Sequence, residues 1–175
     1  QYEDARVNFY EIKDIDSKYS SPALYYYSHI AYDQQNYETS LQGFQRLMDD
    51  ETFSVIAPYY ISQILYFQKK FREVVEFAPP LMDSISVKRV AELSKIIGES
   101  YFYLEEYEEA IPYLQKYKDL NRSSSIQDKY QLAFSYYKAG DYEQAAVLFE
   151  RITMTETEIS MSALYNLADC YIKLG

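Results

Sequence analysis

From Leu132 to Phe149, apolar positions recur with a helical period on both sides of a short break. Leu132, Ala133 and Tyr136 fall at i, i+1 and i+4, so they share one face of a helix. Tyr142, Ala145, Ala146 and Phe149 fall at i, i+3, i+4 and i+7 and define a second helix. Between the two, Gly140 suits the left-handed residue that closes a helix. Asp141 suits the N-cap of the next, with Gln144 placed as its capping-box partner. A helical hairpin of this kind cannot bury its apolar faces alone; it needs copies of itself.

The rest of the chain supplies copies. The aromatic that opens each second helix recurs at Tyr2, Tyr37, Phe71, Tyr107 and Tyr142, in steps of 35, 34, 36 and 35 residues. A period this steady in helix–turn–helix units predicts a stacked repeat. It resembles the tetratricopeptide repeat, and the resemblance covers essentially the whole chain. That family places small residues where its two helices touch most closely, because small side chains let backbones approach. In the first helices that column is Ser28, Ser62, Gly98, Ala133 and Ala168; in the second helices it is Ala5, Ser40, Val74, Ala110 and Ala145. The family's Trp near the repeat start is missing, with Leu24, Pro58, Ser94, Lys129 and Leu164 in its place, and so is the Pro at the repeat end.

The expected fold is therefore all-α: a right-handed α-solenoid of stacked antiparallel helix pairs, about ten helices in a single array over residues 1–175. Residues 1–16 read as the second helix of a repeat, 21–54, 55–90, 91–125 and 126–160 as whole repeats, and 161–175 as the first helix of another. Both ends should then present raw apolar stacking surface, as in an excerpt of a longer array, which leaves them open to end-to-end self-association. Ser21–Pro22 reads as an N-cap and first-turn pair. Pro79 and Pro80 should end or kink the helix near Ala78. Pro112 lies early enough in its helix to cost little. Glu105, Glu106, Glu108 and Glu109 form a solvated acidic turn favouring a helix N-terminus.

Composition narrows the function. Of 175 residues 48% are hydrophobic, enough for a packed core, and 22 are Tyr while Trp is absent. A net charge of −10 argues against nucleic acid and against an anionic membrane surface. No apolar run approaches the roughly 18 residues of a membrane span. His29 is the single His and Cys170 the single Cys, four repeats apart, so HExxH sites and an internal disulfide are excluded. There is no Gly-rich phosphate loop. The chain reads as a non-enzyme with no cofactor and no metal. Asn121-Arg122-Ser123 matches a glycosylation sequon, a pattern common by chance.

The family resemblance also implies a concave channel lined by the first helices. Carried over, its fifth column is Tyr25, Tyr59, Lys95, Tyr130 and Tyr165, and its ninth is His29, Gln63, Glu99, Phe134 and Asp169. Its twelfth is Tyr32, Tyr66, Phe102, Tyr137 and Ile172, and its thirteenth Asp33, Phe67, Tyr103, Lys138 and Lys173. Columns seven apart stack on one helix face. Two readings stand. The rings pack on one another under tight superhelical curvature, or Tyr25, His29, Tyr32, Tyr59, Tyr66, Phe102, Tyr130, Phe134, Tyr137 and Tyr165 line a groove for a peptide or protein segment. The basic clamp with which some family members hold a C-terminal carboxylate is missing: Tyr25, His29, Tyr60, Glu92 and Ile96 stand in its places, while Lys95, Lys138 and Lys173 remain for scattered acids.

The function expected from this is a scaffold for a protein or peptide partner. The alternative is a glycan-binding envelope protein, since aromatic platforms stack on sugars, but the even steps leave no room for long binding loops. A looser resemblance, in the texture of residues 26–44 and 163–175, is to large cell-envelope repeat proteins of Bacteroidetes. That would place the parent in the periplasm or envelope, with the cytoplasm as the alternative.

Overall fold

The computed structural model describes residues 2–121, 123–154 and 157–175, leaving aside the side chains of Tyr2, Glu3, Val87 and Lys88. Arg122 of the sequon, Thr155 and Glu156 of the last whole repeat, and the Tyr2 ring lie outside that description. The described elements are helical: α1 (Tyr2–Ile12), α2 (Ser20–Asp33), α3 (Tyr37–Arg46), α4 (Ala57–Phe67), α5 (Phe71–Phe77), a 3-10 turn (Pro79–Asp83), α6 (Val87–Tyr103), α7 (Tyr107–Leu120), α8 (Ile126–Lys138), α9 (Tyr142–Thr153) and α10 (Glu158–Leu174). They group into two compact units, residues 1–85 and 86–175. The architecture is all-α, a solenoid of stacked antiparallel helix pairs. In the first unit each helix packs on the next in sequence; in the second, α6 also packs on α8 and α8 on α10, so successive first helices stack.

Four turns join first to second helices, and all four are built alike. Gln35, Lys69, Glu105 and Gly140 have φ of 59°, 58°, 62° and 84°, the left-handed region. At each, two backbone N–H groups reach back to close the helix end. Asn36, Lys70, Glu106 and Asp141 donate to the carbonyls of Ala31, Leu65, Tyr101 and Tyr136 at 2.8, 2.9, 3.0 and 3.0 Å. The left-handed residues themselves donate to Tyr32, Tyr66, Phe102 and Tyr137. This is the Schellman arrangement, and it sets the antiparallel return of every hairpin. Only the fourth turn uses the residue that tolerates the conformation without steric penalty. Asn36 and Asp141 then cap the following helix through their side chains, at 3.4 and 3.1 Å. Asp141 supplies the first half of the expected box, while full capping boxes close at Ser125–Asp128 and Thr157–Ser160.

Several local expectations shift. α2 begins at Ser20 with Tyr19 as its N-cap, one residue ahead of the Ser21–Pro22 pair. The Ser21 hydroxyl instead bonds Asp50, whose carboxylate also accepts the Thr52 and Phe53 amides at 2.9 and 3.0 Å. These bonds hold its pKa below the ordinary value against the opposing effect of burial. α6 and α10 begin at Val87 and Glu158, ahead of the expected repeat starts. Pro112 sits in the second turn of α7, where it removes one helical hydrogen bond yet leaves the helix running to Leu120. Pro79 and Pro80 do end α5, converting the chain to a 3-10 turn.

The small columns sit at the hairpin interfaces. Ser28, Ser62, Ala133, Ser40, Val74, Ala110 and Ala145 are each fully buried. Gly98 is buried with no room to spare: a Cβ there would lie 2.8 Å from the Leu114 side chain and 2.9 Å from its backbone nitrogen. A second close approach falls at Gly43, whose Cβ would lie 1.8 Å from Ser28 Oγ. Ser28 cannot yield, because its hydroxyl donates to the Leu24 carbonyl at 2.7 Å and its carbonyl accepts from Ser40 at 2.9 Å. Two members of the columns depart: Ala5 is half-buried on α1 and Ala168 is exposed on α10.

The two kinds of glycine should respond in opposite senses. Gln35→Gly, Lys69→Gly and Glu105→Gly should each stabilise by about 0.5–1 kcal/mol, the left-handed penalty less the glycine entropy cost. Gly98→Ala and Gly43→Ala should each destabilise by about 1–3 kcal/mol through overpacking, and Gly98→Leu should unfold its hairpin. Urea denaturation of the single variants decides this. Neutral alanines at 98 and 43 would refute the close-approach reading.

Candidate functional site

The first-helix faces carry the aromatic columns, and the rings gather into one cluster in each unit. In the first unit Tyr25 stacks on Phe53 at 4.7 Å and meets Phe44 and Tyr60 edge-on at 6.0 and 6.2 Å. Tyr60 lies at the centre. It stacks on buried Phe44 at 4.6 Å and receives His29 and Tyr32 edge-on at 5.3 and 5.5 Å. Tyr32 continues to Tyr37 and Phe67, which stack on each other at 5.5 Å. His29 Nδ1 lies 3.3 Å from the Asp33 carboxylate. Edge-to-face and offset pairs of this kind each contribute roughly 0.5–1.5 kcal/mol beyond area burial, so the cluster is cohesive in its own right.

In the second unit the centre is Phe134. It stacks on Tyr130 at 5.8 Å, meets Phe102 and Tyr107 edge-on at 6.0 and 5.7 Å, and touches Tyr137 at 5.9 Å. Tyr130 leans on buried Phe149, and Tyr137 on Tyr142. Polar bonds pin the rings from the next first helix. The Asn166 amide donates to the Tyr130 phenol oxygen at 3.0 Å, and the Tyr137 phenol donates to Asp169 at 2.7 Å. The Asp169 bond and, after it, burial push the Tyr137 phenol up to about 12. Lys138 lies over the Tyr107 and Phe134 rings, and Lys173 over Tyr142 while 3.8 Å from Asp169.

Of the ten residues expected in a groove, Tyr25, His29 and Tyr32 thus meet in the first cluster, and Phe102, Tyr130, Phe134 and Tyr137 in the second; all seven are half-buried. Tyr66 is half-buried against Phe67 and Phe71. Tyr59 departs from its column: it is buried, and its phenol oxygen accepts the Gln63 amide at 3.0 Å, so it offers a ligand little surface. Tyr165 is at the other extreme, 75% exposed. Tyr60 belongs at the centre of the first cluster but was legible only as a clamp position left vacant. Its signal was its place 35 residues after Tyr25, one residue beyond Tyr59.

Lys95 is not left for a partner's acids. Its ammonium donates to Asp128 at 2.7 Å and lies 3.9 Å from Glu99. Asp128 also accepts the Ser125 amide at 2.7 Å and faces the Tyr117 phenol at 3.4 Å. The Tyr117 oxygen in turn accepts from the Asn121 amide at 2.8 Å, which occupies the side chain of the sequon. Burial works against both charges, yet Asp128 ends below and Lys95 above its ordinary pKa, because the bonds between them and to Ser125 outweigh desolvation. Among the described residues, no group of three or more His, Cys, Asp or Glu could hold a metal ion. None of the described helices is long and apolar enough to cross a membrane.

Fold and site together define a helical-repeat protein with an aromatic first-helix face. The repeat is identified in sequence as well: residues 129–153 match the model of the tetratricopeptide repeat, so the chain carries that repeat. Among solved structures it is similar to YrrB, described as a TPR protein with an unusual peptide-binding site. The TM-score is 0.76 at 16% identity, over 98% of this chain and 84% of that one. It is similar to MamA from Desulfovibrio magneticus RS-1, with TM-score 0.67 at 19% identity over 87% and 84% of the two chains. A tetratricopeptide repeat protein from Parabacteroides merdae gives TM-score 0.63 at 14% identity over 99% and 73%. At these identities the likeness is one of fold. No curated protein matches the chain in sequence.

Two titrations follow. The difference in phenolate absorbance between the native chain and Tyr137→Phe should show a phenol ionising near 12. Asp169→Asn should bring that phenol back toward the ordinary value of about 10. Because the folded value is the higher one, this bond's stabilisation is complete below about pH 10 and fades as pH rises through the folded value. Asp128 has the opposite sign: its stabilisation is present above about pH 4 and is lost as pH falls through its depressed folded value. Asp128→Asn should therefore flatten the acid limb of a melting-temperature profile, and an unchanged limb would remove Asp128 from the account.

Proposed function

We propose that this chain is a protein-interaction scaffold that binds an extended or helical protein segment on the aromatic faces of its first helices, and acts by binding rather than catalysis. One observation carries the reading: on α8 the half-exposed rings of Tyr130, Phe134 and Tyr137 form a contiguous row, held by Phe149 of α9 and by Asn166 and Asp169 of the next first helix. A fixed row of amphipathic rings offers a partner large contact area at low entropic cost, since the row itself is already ordered. Lys138 stands at its edge as a cation for a partner's carboxylate. Support also comes from the repeat itself and from YrrB, a protein of the same fold described by its peptide-binding site.

The test compares capture of partners by the native chain and by a variant with Tyr32, Tyr66 and Tyr137 changed to Ser. Captured proteins should be retained by the first and lost about tenfold or more by the second, since central aromatic anchors cost at least about 2 kcal/mol when truncated. Helical content and a cooperative melt should survive in the variant. Equal capture by both chains, or loss of cooperative folding, would make these rings packing alone.

A further inference from the structure

The second-helix side of the first unit carries a groove. It runs between α3 and α5 and is floored by α4. Leu41 and Met48 come from α3 and the turn after it, Ile61 and Leu65 from α4, and Phe77 from α5; the space they enclose is about 510 Å³. That is within the range of pockets that take a ligand group, roughly 300–1,000 Å³. The decisive residue is Leu65. Two repeats further on, its position is Tyr136, whose ring packs against the core of the second unit. The Tyr136 phenol is raised by burial and then by the charges of Asp141 at the start of α9 and Asp119 near the end of α7. At this position the second unit has rings, Tyr101 and Tyr136, where the first has Ala31 and Leu65, and beside Leu65 the space is open.

The rim decides what fits. Glu73 and Glu76 line one side and Lys70 stands with them, its ammonium already 3.8 Å from Glu73. The groove thus presents an apolar floor under a net acidic rim, on a chain of net charge −10. A second copy of the chain would bring its own negative charge to that rim. From the fit of floor and rim we infer that the α3–α5 groove is a second docking site, distinct from the aromatic faces, for a partner segment with aliphatic side chains on one side and lysine or arginine on the other.

The probe is a short helical peptide with leucines on one face and lysines on the other, set against a counterpart carrying glutamates for lysines. Binding to the full chain is read from the methyl resonances of Leu41, Met48 and Ile61. Saturable shifts should appear with the lysine peptide and be weaker by roughly threefold to tenfold with the glutamate peptide, the scale of one or two exposed ion pairs. Leu65→Tyr, which copies the second unit, should abolish them with the melting temperature maintained. Glu73→Lys with Glu76→Lys should reverse the peptide preference, and this pair carries the test if Leu65→Tyr does not fold. Tyr32, Tyr66 and Tyr137 changed to Ser should leave these shifts in place, which separates this site from the aromatic faces. Equal binding of both peptides, shifts that survive Leu65→Tyr in a folded chain, a preference unmoved by the charge reversal, or dimerisation of the chain that Leu65→Tyr removes would each overturn the proposal.

Discussion

Every feature of this chain depends on how closely the two helices of a hairpin can approach. At Gly98 the approach leaves no room for a methyl group beside Leu114, and at Gly43 none beside Ser28. Where the contact is less extreme, Ala110, Ala133 and Ala145 serve, each fully buried. Small residues alone bring little hydrophobic energy; what they allow is the burial of their larger neighbours. Leu114, Phe44 and Phe149 are almost completely enclosed because the backbones beside them are close. Serine at these contacts adds a requirement that alanine does not. Ser28 and Ser62 each return their hydroxyl to the carbonyl four residues back, at 2.7 and 2.9 Å, so neither hydroxyl is left unpaired.

Once the hairpins are closed, a repeated rung joins one to the next. At Tyr37, Tyr107 and Tyr142 the aromatic that opens a second helix is covered by the thirteenth-column residue of the following repeat. Phe67 stacks on Tyr37 in the first unit, and in the second Lys138 lies over Tyr107 and Lys173 over Tyr142. A ring and a cation are interchangeable here because both are attracted to an aromatic face, at comparable strength when half-exposed. The steady period of the aromatics is thus the imprint of a physical contact as well as a spacing.

That explains how much of the molecule could be read from sequence. Repeat class, helix order and the small columns were legible because each rests on periodicity or on residue size at fixed offsets. The left-handed turns at Gln35, Lys69 and Glu105 were not, since the residue types there carry no sign of a positive φ; only Gly140 announced it. Gly43 was missed because it lies outside the two columns in which small residues were sought. The pairing of Lys95 with Asp128 joins residues one repeat apart, and a lysine in a groove column reads as free until its partner is seen. The aromatic columns were found, but sequence could not say that Tyr59 is buried while Tyr165 stands in solvent.

The two readings of those columns, packing and binding, are not exclusive once the geometry is considered. A ring held by its neighbours has already lost its rotamer freedom, and that loss is part of what a partner would otherwise have to overcome. The Tyr130–Phe134–Tyr137 row shows the division of labour: Tyr130 is secured by Asn166 and Phe149, Tyr137 by Asp169 and Phe134 by its neighbouring rings, and all three remain half-exposed. Cohesion among the rings therefore raises the stability of the repeat and prepares the surface in the same step. The α3–α5 groove is the converse case. There a smaller residue, buried Leu65, stands where Tyr136 stands two repeats later, and the space beside it is apolar beneath an acidic rim. The copies of this position, Ala31 and Leu65 in the first unit against Tyr101 and Tyr136 in the second, differ in size while the turn they anchor is the same, so the turn fixes the fold and the side chain is left to set the surface.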